Sequence, residues 1–558
     1  MEIAYLWVER FKQFKDYGLN LSSKYFFKYG KESSELLVEM KETYPEDFFG
    51  GSVSDITALL GINGAGKTTS LELICRLITE SFRVRSDFII IYKKNTQYYI
   101  VKRMESDLTY PESLILPGDI NDLKKIRVMF FSNVFDASYI DFPDEVVDIS
   151  LNSKMNPKNI HKNSFRRLES DLEKQIRFLG SHAARKIKLQ PPTKIEYRIN
   201  RAVKESLRGL SRKNNFRSSN DEASSELIYI SEGLQRIFLR EVRKIGRDNH
   251  FNLSITIIKQ QFIASLINPG SKVDYCIADI LEIVSPLLHD DETSTDVILQ
   301  AILDESQSRN SIYNYTENHI MSEVVGYVLL NLESIFESLN FTPDSSLRNS
   351  KIIFSLDYSE CSNWQHQKLS SMFEVFWGSN ASWSGLSSGQ KAYLNIFSLV
   401  WAAISEGEHS RDEMDSVICI DEGDLYLHPQ WQIDFLQTLI RSLPEISKGK
   451  IQIVFTTHSP LLVSDVPKQC LLILNGNNSQ LNMLEDINTF GANFYDIYSK
   501  AFGLKGVRSA SISNSYISEI LHILDKETLT KRDIKKLNES LGLIGDELVL
   551  HHILKRLS

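Results

Sequence analysis

"VSDITALLGINGAGKTTSLELICRLI", residues 53–78, passes from an apolar stretch through a glycine-rich turn into a second apolar stretch of different period. Residues 53–60 read as a strand and "TTSLELICRLI" as a helix. Strand, loop and helix in that order are the setting a phosphate loop needs. Between them "GINGAGKT", Gly61 to Thr68, fills G-x-x-x-x-G-K-[ST] at every position. The glycines let backbone N–H groups wrap phosphates, Lys67 places a point charge between the terminal two, and the Thr68 hydroxyl can take a magnesium site. The expected ATP-binding set is Gly61, Asn63, Gly64, Ala65, Gly66, Lys67, Thr68 and Thr69, with Mg2+ as the second cofactor. A glycine-rich turn that meets a helix by accident is the rival reading, and the strand-to-helix setting weakens it.

Three further stretches carry chemistry. "SVICIDEGDLYLHP", Ser416 to Pro429, is an apolar strand ending in two adjacent acids. Neighbouring side chains on a strand point opposite ways, so Asp421 and Glu422 have different jobs. Asp421 is the expected metal ligand with Thr68, and Glu422 the residue that orients or deprotonates an attacking water. In isolation an acidic pair after a strand is usually a solvated strand end; the phosphate loop in the same chain favours catalysis. "IQIVFTTHSP", Ile451 to Pro460, is a third buried strand, and His458 at its end can donate a hydrogen bond to a γ-phosphate, although a lone histidine there is more often structural. Glu422, His458 and Lys67 form the expected catalytic set. "LSSGQKAYLNIF", residues 386–397, is a polar turn opening an apolar helix. Unpaired N–H groups at such a helix start attract an anion, yet the phosphate loop lies more than 300 residues upstream.

At 558 residues the chain predicts two to four domains. With 42% hydrophobic and 24% charged residues it is expected to be globular. Cys75, Cys276, Cys361, Cys419 and Cys470 are isolated, without the spacing of a zinc site, which suits reduced thiols and a cytoplasmic protein. The N-terminus "MEIAYLWVERFK" is a poor export signal. No window reaches ~18 uninterrupted apolar residues, so no membrane association is expected. The net charge of −9 is uneven: residues 151–250 hold 23 Lys plus Arg against 11 Asp plus Glu, a local +12, leaving 40 against 61, or −21, elsewhere. That segment is either a solvated helical face or a surface for nucleic acid or an acidic partner.

The order of the four pieces resembles the ATPase heads of the ABC superfamily in its SMC/RecF-like branch, and "LSSGQ" is similar to that family's LSGGQ signature with serine at the first glycine of the pair. The resemblance implies an α/β fold class: a P-loop ATPase head with a large helical insertion. It implies that Ser387, Ser388, Gly389 and Gln390 cap the γ-phosphate of ATP held by the other protomer of a homodimer. The expected organisation is an N-terminal head lobe over 1–155 and a helical insertion over 156–345, basic in its first half. A C-terminal head lobe follows over 346–480, then a helical segment over 481–558. In the insertion, Leu168, Leu172, Ile176 and Leu179 share one helical face.

A narrower resemblance rests on "FFSNVFD" at 130–136, "LYLHPQWQ" and the ending "INTFGANFYDIYSKAFGL…IGDELVLHHILKRL". These look like PtuA-type ATPases of bacterial anti-phage defence, of Septu and retron-associated systems. What this implies is a sensor or regulator ATPase that controls a separate HNH nuclease, PtuB-like, and in retron settings works with a reverse transcriptase and its DNA–RNA product. Higher assembly beyond the dimer stays open.

The chain departs from the ABC pattern in two places. Between Leu71 and Ser150 the one glutamine is Gln97, on an apparent hairpin rather than after a core strand, where the family keeps a magnesium-sensing glutamine. Asn133 is better placed but shorter. For the adenine-stacking aromatic, Phe11, Phe14 and Tyr17 are candidates, each more often core. A RecF-like repair or recombination ATPase using Arg166, Arg167, Arg185 and Lys186 on DNA is the alternative function, and a binding scaffold with structural ATP is a third.

Overall fold

Strands whose every residue is buried organise the molecule, because the sheet they form is covered on both faces. The computed structural model describes residues 1–42, 44, 45, 48–104, 107–134, 139–155, 171–186, 191–200, 221–245, 249–266, 277–310, 330–343, 351–358, 366, 381–405, 414–474, 488–502 and 510–558. The chain opens with β1 (Glu2–Phe11), β2 (Phe14–Asn20), β3 (Tyr25–Gly30), β4 (Glu35–Met40), β5 (Val53–Gly61) and helix α1 (Lys67–Glu80). Next come β6 (Phe88–Lys94), β7 (Gln97–Arg103), β8 (Ile115–Pro117), β9 (Arg127–Ser132) and β10 (Val146–Asp148). Helix α2 (Asp171–Leu179) and β11 (Lys194–Asn200) precede helices α3 (Asp221–Ile245), α4 (His250–Leu266), α5 (Ile277–Leu287), α6 (Thr295–Asn310) and α7 (Leu332–Ser338). The remainder holds β12 (Thr342–Pro343), β13 (Lys351–Asp357), β14 (Ala381–Ser384), α8 (Ser388–Ser405), β15 (Ser416–Asp421), α9 (Pro429–Ser442), β16 (Ile451–Thr456) and β17 (Leu471–Leu474), before α10 (Ser511–Leu524), α11 (Lys531–Ser540) and α12 (Glu547–Leu557).

The central sheet runs β10-β9-β15-β16-β5-β17 and every pairing in it is parallel. A parallel sheet needs cover on both sides, so its strands read as continuous apolar runs rather than alternating ones. Alternate residues nevertheless serve two different cores. Met129 and Phe131, Ile418 and Ile420, and Ile453 and Phe455 join α8, α9 and the helices α3 to α7 on one face. Val128 and Phe130, Val417 and Cys419, and Val454 join α1 on the other. A second sheet, β2-β1-β6-β7-β8, closes over α1: Leu6, Val8, Phe88 and Ile90 point to the α1 core, while Trp7, Ile89 and Ile91 pack against the β3–β4 hairpin. The two sheets are joined by Gln452 of β16, whose fully buried amide donates to Ile3 O and accepts from Ile3 N, both at 2.8 Å.

The α/β class holds, and the apparent hairpin that carries Gln97 is the antiparallel pair β6–β7. The segment read as helical after residue 156 contains β11, which pairs antiparallel with β13 and β14. Its partners lie more than 150 residues downstream, where a local reading has no view of them. On α2, Leu172 and Ile176 are buried and Leu179 is half-buried, with α2 against α8. Leu168 lies outside the described residues, as do Arg166 and Arg167. The α10 to α12 unit has its own small core of Ile520, Ile523, Leu537, Ile544, Val549 and Ile553. Among the described residues no helix is long and apolar enough to cross a membrane.

Candidate functional site

The carboxyl ends of β9, β15, β16 and β5 are neighbours in the sheet, and each is followed by one of the candidate stretches. Asn133 follows β9, Asp421 and Glu422 close β15, Thr456 to His458 close β16, and Gly61 to Thr68 follow β5. Ligand sites of parallel α/β sheets form at this edge.

Sterics shape the phosphate loop. Gly64 and Gly66 have φ of 81° and 94°, in the left-handed region that side-chain-bearing residues avoid. A Cβ on Gly66 would also stand 2.5 Å from Phe14. The buried Lys67 ammonium donates to Gly61 O at 3.1 Å and Ile62 O at 3.4 Å, and burial lowers its pKa although Glu422 and Asp421 pull the other way. Asn63 and Gly64 are exposed at the mouth, Ala65 is buried beneath it, and Gln13 donates to Thr69 Oγ1 at 3.0 Å.

Asp421 is 4% exposed and accepts from Thr68 Oγ1 at 2.9 Å and Thr456 Oγ1 at 2.8 Å. Burial raises its pKa, against those hydrogen bonds and the Lys67 charge. A hydroxyl and a buried carboxylate facing each other fit Mg2+, which takes few protein oxygens and keeps waters and substrate phosphates as its other ligands. Among the described residues no cluster of three or more His, Cys, Asp or Glu offers a competing metal site. Glu422 has φ of 47° and its N–H donates to Thr456 Oγ1 at 2.9 Å. Its Oε1 lies 3.9 Å from His458 Nε2. Burial, then Lys67, lower the His458 pKa, which favours a neutral imidazole with one N–H to donate.

Residues that the motifs do not name hold this geometry. Thr456 bridges Asp421 and the Glu422 backbone. Thr457 Oγ1 donates to Asp424 Oδ2 at 2.9 Å, and burial pushes the Asp424 carboxyl up to about 6. Ser459 Oγ donates to Gln432 Oε1 at 2.7 Å while Gln432 Nε2 donates to Leu427 O at 3.1 Å. The paired threonines in "FTTHSP" were the available signal for this clamp.

In the signature stretch, Ser387 N donates to Gln390 Oε1 at 2.9 Å and Gln390 N to Ser387 Oγ at 3.2 Å. This is a capping box, S-x-x-Q, and it starts α8 at Ser388. Gly389 is buried; a Cβ there would meet Tyr426 O at 2.8 Å and Trp431 at 3.2 Å. The signature turn therefore lies beside the turn that follows the acidic pair, and Ser388 and Lys391 face outward, exposed. Gln97 sits on β7 and donates to Leu114 O at 2.8 Å, a hairpin contact away from the central sheet. Phe14 and Tyr17 are fully buried, stacked with centroids 3.8 Å apart, so they serve the core, while Phe11 is half-buried in a cleft of about 680 Å³ along α1.

Residues 331–464 match a family model described as AAA domain, putative AbiEii toxin, Type IV TA system. The chain is 33% identical over 128 residues to the Retron Vc95 probable ATPase of Vibrio cholerae serotype O1 biovar El Tor, covering 22% of this chain and 23% of that protein. It is 29% identical over 143 residues to protein ea59 of Escherichia phage lambda, covering 25% and 26%. To Septu protein PtuA of Bacillus thuringiensis it is 36% identical over 83 residues, covering 14% and 20%. The chain thus spans about a quarter or less of the length of these relatives. The expected likeness to PtuA-type ATPases holds at modest identity: over these segments the chain is PtuA-like, and residues 331–464 match the AAA-domain model.

Proposed function

We propose that the chain is an ATP-hydrolysing ATPase of the SMC/RecF-like ABC type, working as a homodimer. The observation that carries this is the gathering of phosphate loop, Asp421, Glu422 and His458 at adjacent strand ends. Lys67, Thr68 and the loop N–H groups hold the triphosphate, with Thr68 and Asp421 placed to take Mg2+, which neutralises phosphate charge when bound. Glu422 orients or deprotonates the attacking water, and His458 donates to the γ-phosphate. The outward-facing Ser388 reads the nucleotide of the second copy, so two ATP molecules join two heads and hydrolysis loosens the joint. Residues 156–345 form the insertion whose basic half meets a partner. By its likeness to Septu and retron ATPases, the dimer acts as the sensor of an anti-phage defence complex. It holds or releases an HNH nuclease, PtuB-like, alongside a reverse transcriptase and its DNA–RNA product in a retron setting.

Glu422→Gln should lower turnover by ~10²-fold or more and trap an ATP-dependent dimer, read as a doubling of mass in light scattering. A Glu422→Gln protein that stays monomeric at saturating MgATP would overturn the composite-site reading.

A further inference from the structure

Asn133 is fully buried after β9, and half of its amide is in use: Nδ2 donates to Gly423 O at 2.9 Å, while Oδ1 has no hydrogen-bond partner among the described residues. Burying an unpaired carbonyl oxygen costs stability, so an apolar residue would suit this place better unless the donor has a task. Its acceptor lies one residue past Glu422, a non-glycine residue held at φ of 47°, a conformation that surroundings must enforce. Glu422 and Gly423 are tied by Glu422 N–H to Thr456 Oγ1, Glu422 O from Leu425 N at 3.0 Å, and Gly423 O from Asn133. Gly423 is also closed in, since a Cβ there would stand 2.5 Å from Ile420 Cγ2. Of these ties the Asn133 bond alone reaches the turn from β9, the neighbour of β15 on the side opposite β16.

We propose that Asn133 is the positioning residue for Glu422: its amide N–H, acting through the Gly423 carbonyl, keeps the Glu422 backbone left-handed and its carboxylate beside His458. The flipped amide would set Oδ1 against the Gly423 carbonyl, two acceptors facing each other, so the orientation is determined. This rests on the reading of Glu422 as the group that acts on water. A displacement of about 1 Å in such a group costs on the order of 10²-fold in rate.

The test is single-turnover ATP hydrolysis and ATP affinity for Asn133→Ala, Asn133→Asp, Glu422→Gln and Asn133→Ala/Glu422→Gln. Asn133→Ala, and the isosteric Asn133→Asp, which puts an acceptor where the donor was, should slow turnover by about 10²-fold with ATP affinity within roughly a factor of two. In the Glu422→Gln background Asn133→Ala should cost nothing further, because a residue acting through another has no effect once that one is gone. An equal loss in both backgrounds, parent-like turnover in both Asn133 variants, or loss of ATP affinity in step with turnover would each overturn the positioning role. Parent-like turnover in Glu422→Gln alone would instead overturn the reading of Glu422, and so separates the two failures. Should Asn133→Ala fail to fold, Asn133→Asp decides.

Discussion

Asp421 holds a conflict that its neighbours do not fully settle. Its carboxylate accepts from two hydroxyls in a site 4% exposed, and burial outweighs them, so its pKa lies above the ordinary value. A carboxyl with a raised folded pKa stabilises the protein at low pH and loses that contribution as pH rises through the folded value. At neutral pH the charge is therefore a cost, the kind a bound cation offsets. Asp421→Asn keeps the shape without the charge, one hydroxyl still donating to the amide oxygen and the other accepting from the amide N–H. It should raise the melting temperature of the nucleotide-free protein, while removing the further rise that MgATP gives the parent. A variant that melts lower than the parent without nucleotide would count against this account. The contribution of Asp421 was legible because strand and acid pair are contiguous. Thr456 was not, since its bond to Asp421 joins residues 35 apart whose strands meet only once the parallel sheet has formed.

Helix α8 separates two serines that a motif treats as one. Both serines are exposed, but Ser387 and Gln390 exchange capping bonds, whereas Ser388 begins the helix outside that exchange. Ser387→Ala should therefore destabilise the fold by about 1 kcal/mol, the usual cost of a lost cap. Ser388→Ala should change stability by less than about 0.5 kcal/mol and abolish the ATP-dependent dimer in the Glu422→Gln background. Chemical denaturation reads the first and light scattering the second; a reversed pattern would assign the phosphate-reading role to Ser387. The capping box was present in the letters S-x-x-Q, but the same letters also fit an anion-reading turn, and only the hydrogen bonds separate the two uses. β5 and α1 were readable for a different reason: the phosphate loop fixes both their ends. β11 was obscured because Ile195 and Tyr197, its core residues, alternate with Lys194, Glu196 and Arg198 in a basic stretch whose neighbours read as helix.

Across the whole molecule, the parallel sheet sets the chemistry at one edge and hands the opposite edge to the second sheet. There Gln452 stitches β16 to Ile3, and Glu2, the adjoining residue, is 6% exposed. Burial, reinforced by Asp55, pushes the Glu2 carboxyl up to about 7, although Lys93 at 3.7 Å pulls it down. Asp55 is itself raised by burial. Because the folded chain binds the Glu2 proton more tightly than the unfolded one, the Glu2 contribution to stability is fully present below the ordinary glutamate range and is lost as pH rises through about 7. Glu2→Gln should flatten that fall between roughly pH 4.5 and 7 and leave the variant more stable than the parent at pH 8, by on the order of 2 kcal/mol. Some slope should persist, since Asp55 and Asp148 are also raised by burial. Glu2 lies at the sheet edge away from the phosphate loop, so ATP affinity at pH 8 should not follow the change in stability. Denaturation midpoints taken from pH 5 to 8 check the first point and nucleotide titration the second. A parent-like slope in Glu2→Gln would place the proton elsewhere, and a matching shift in ATP affinity would mean that the two edges of the sheet are coupled.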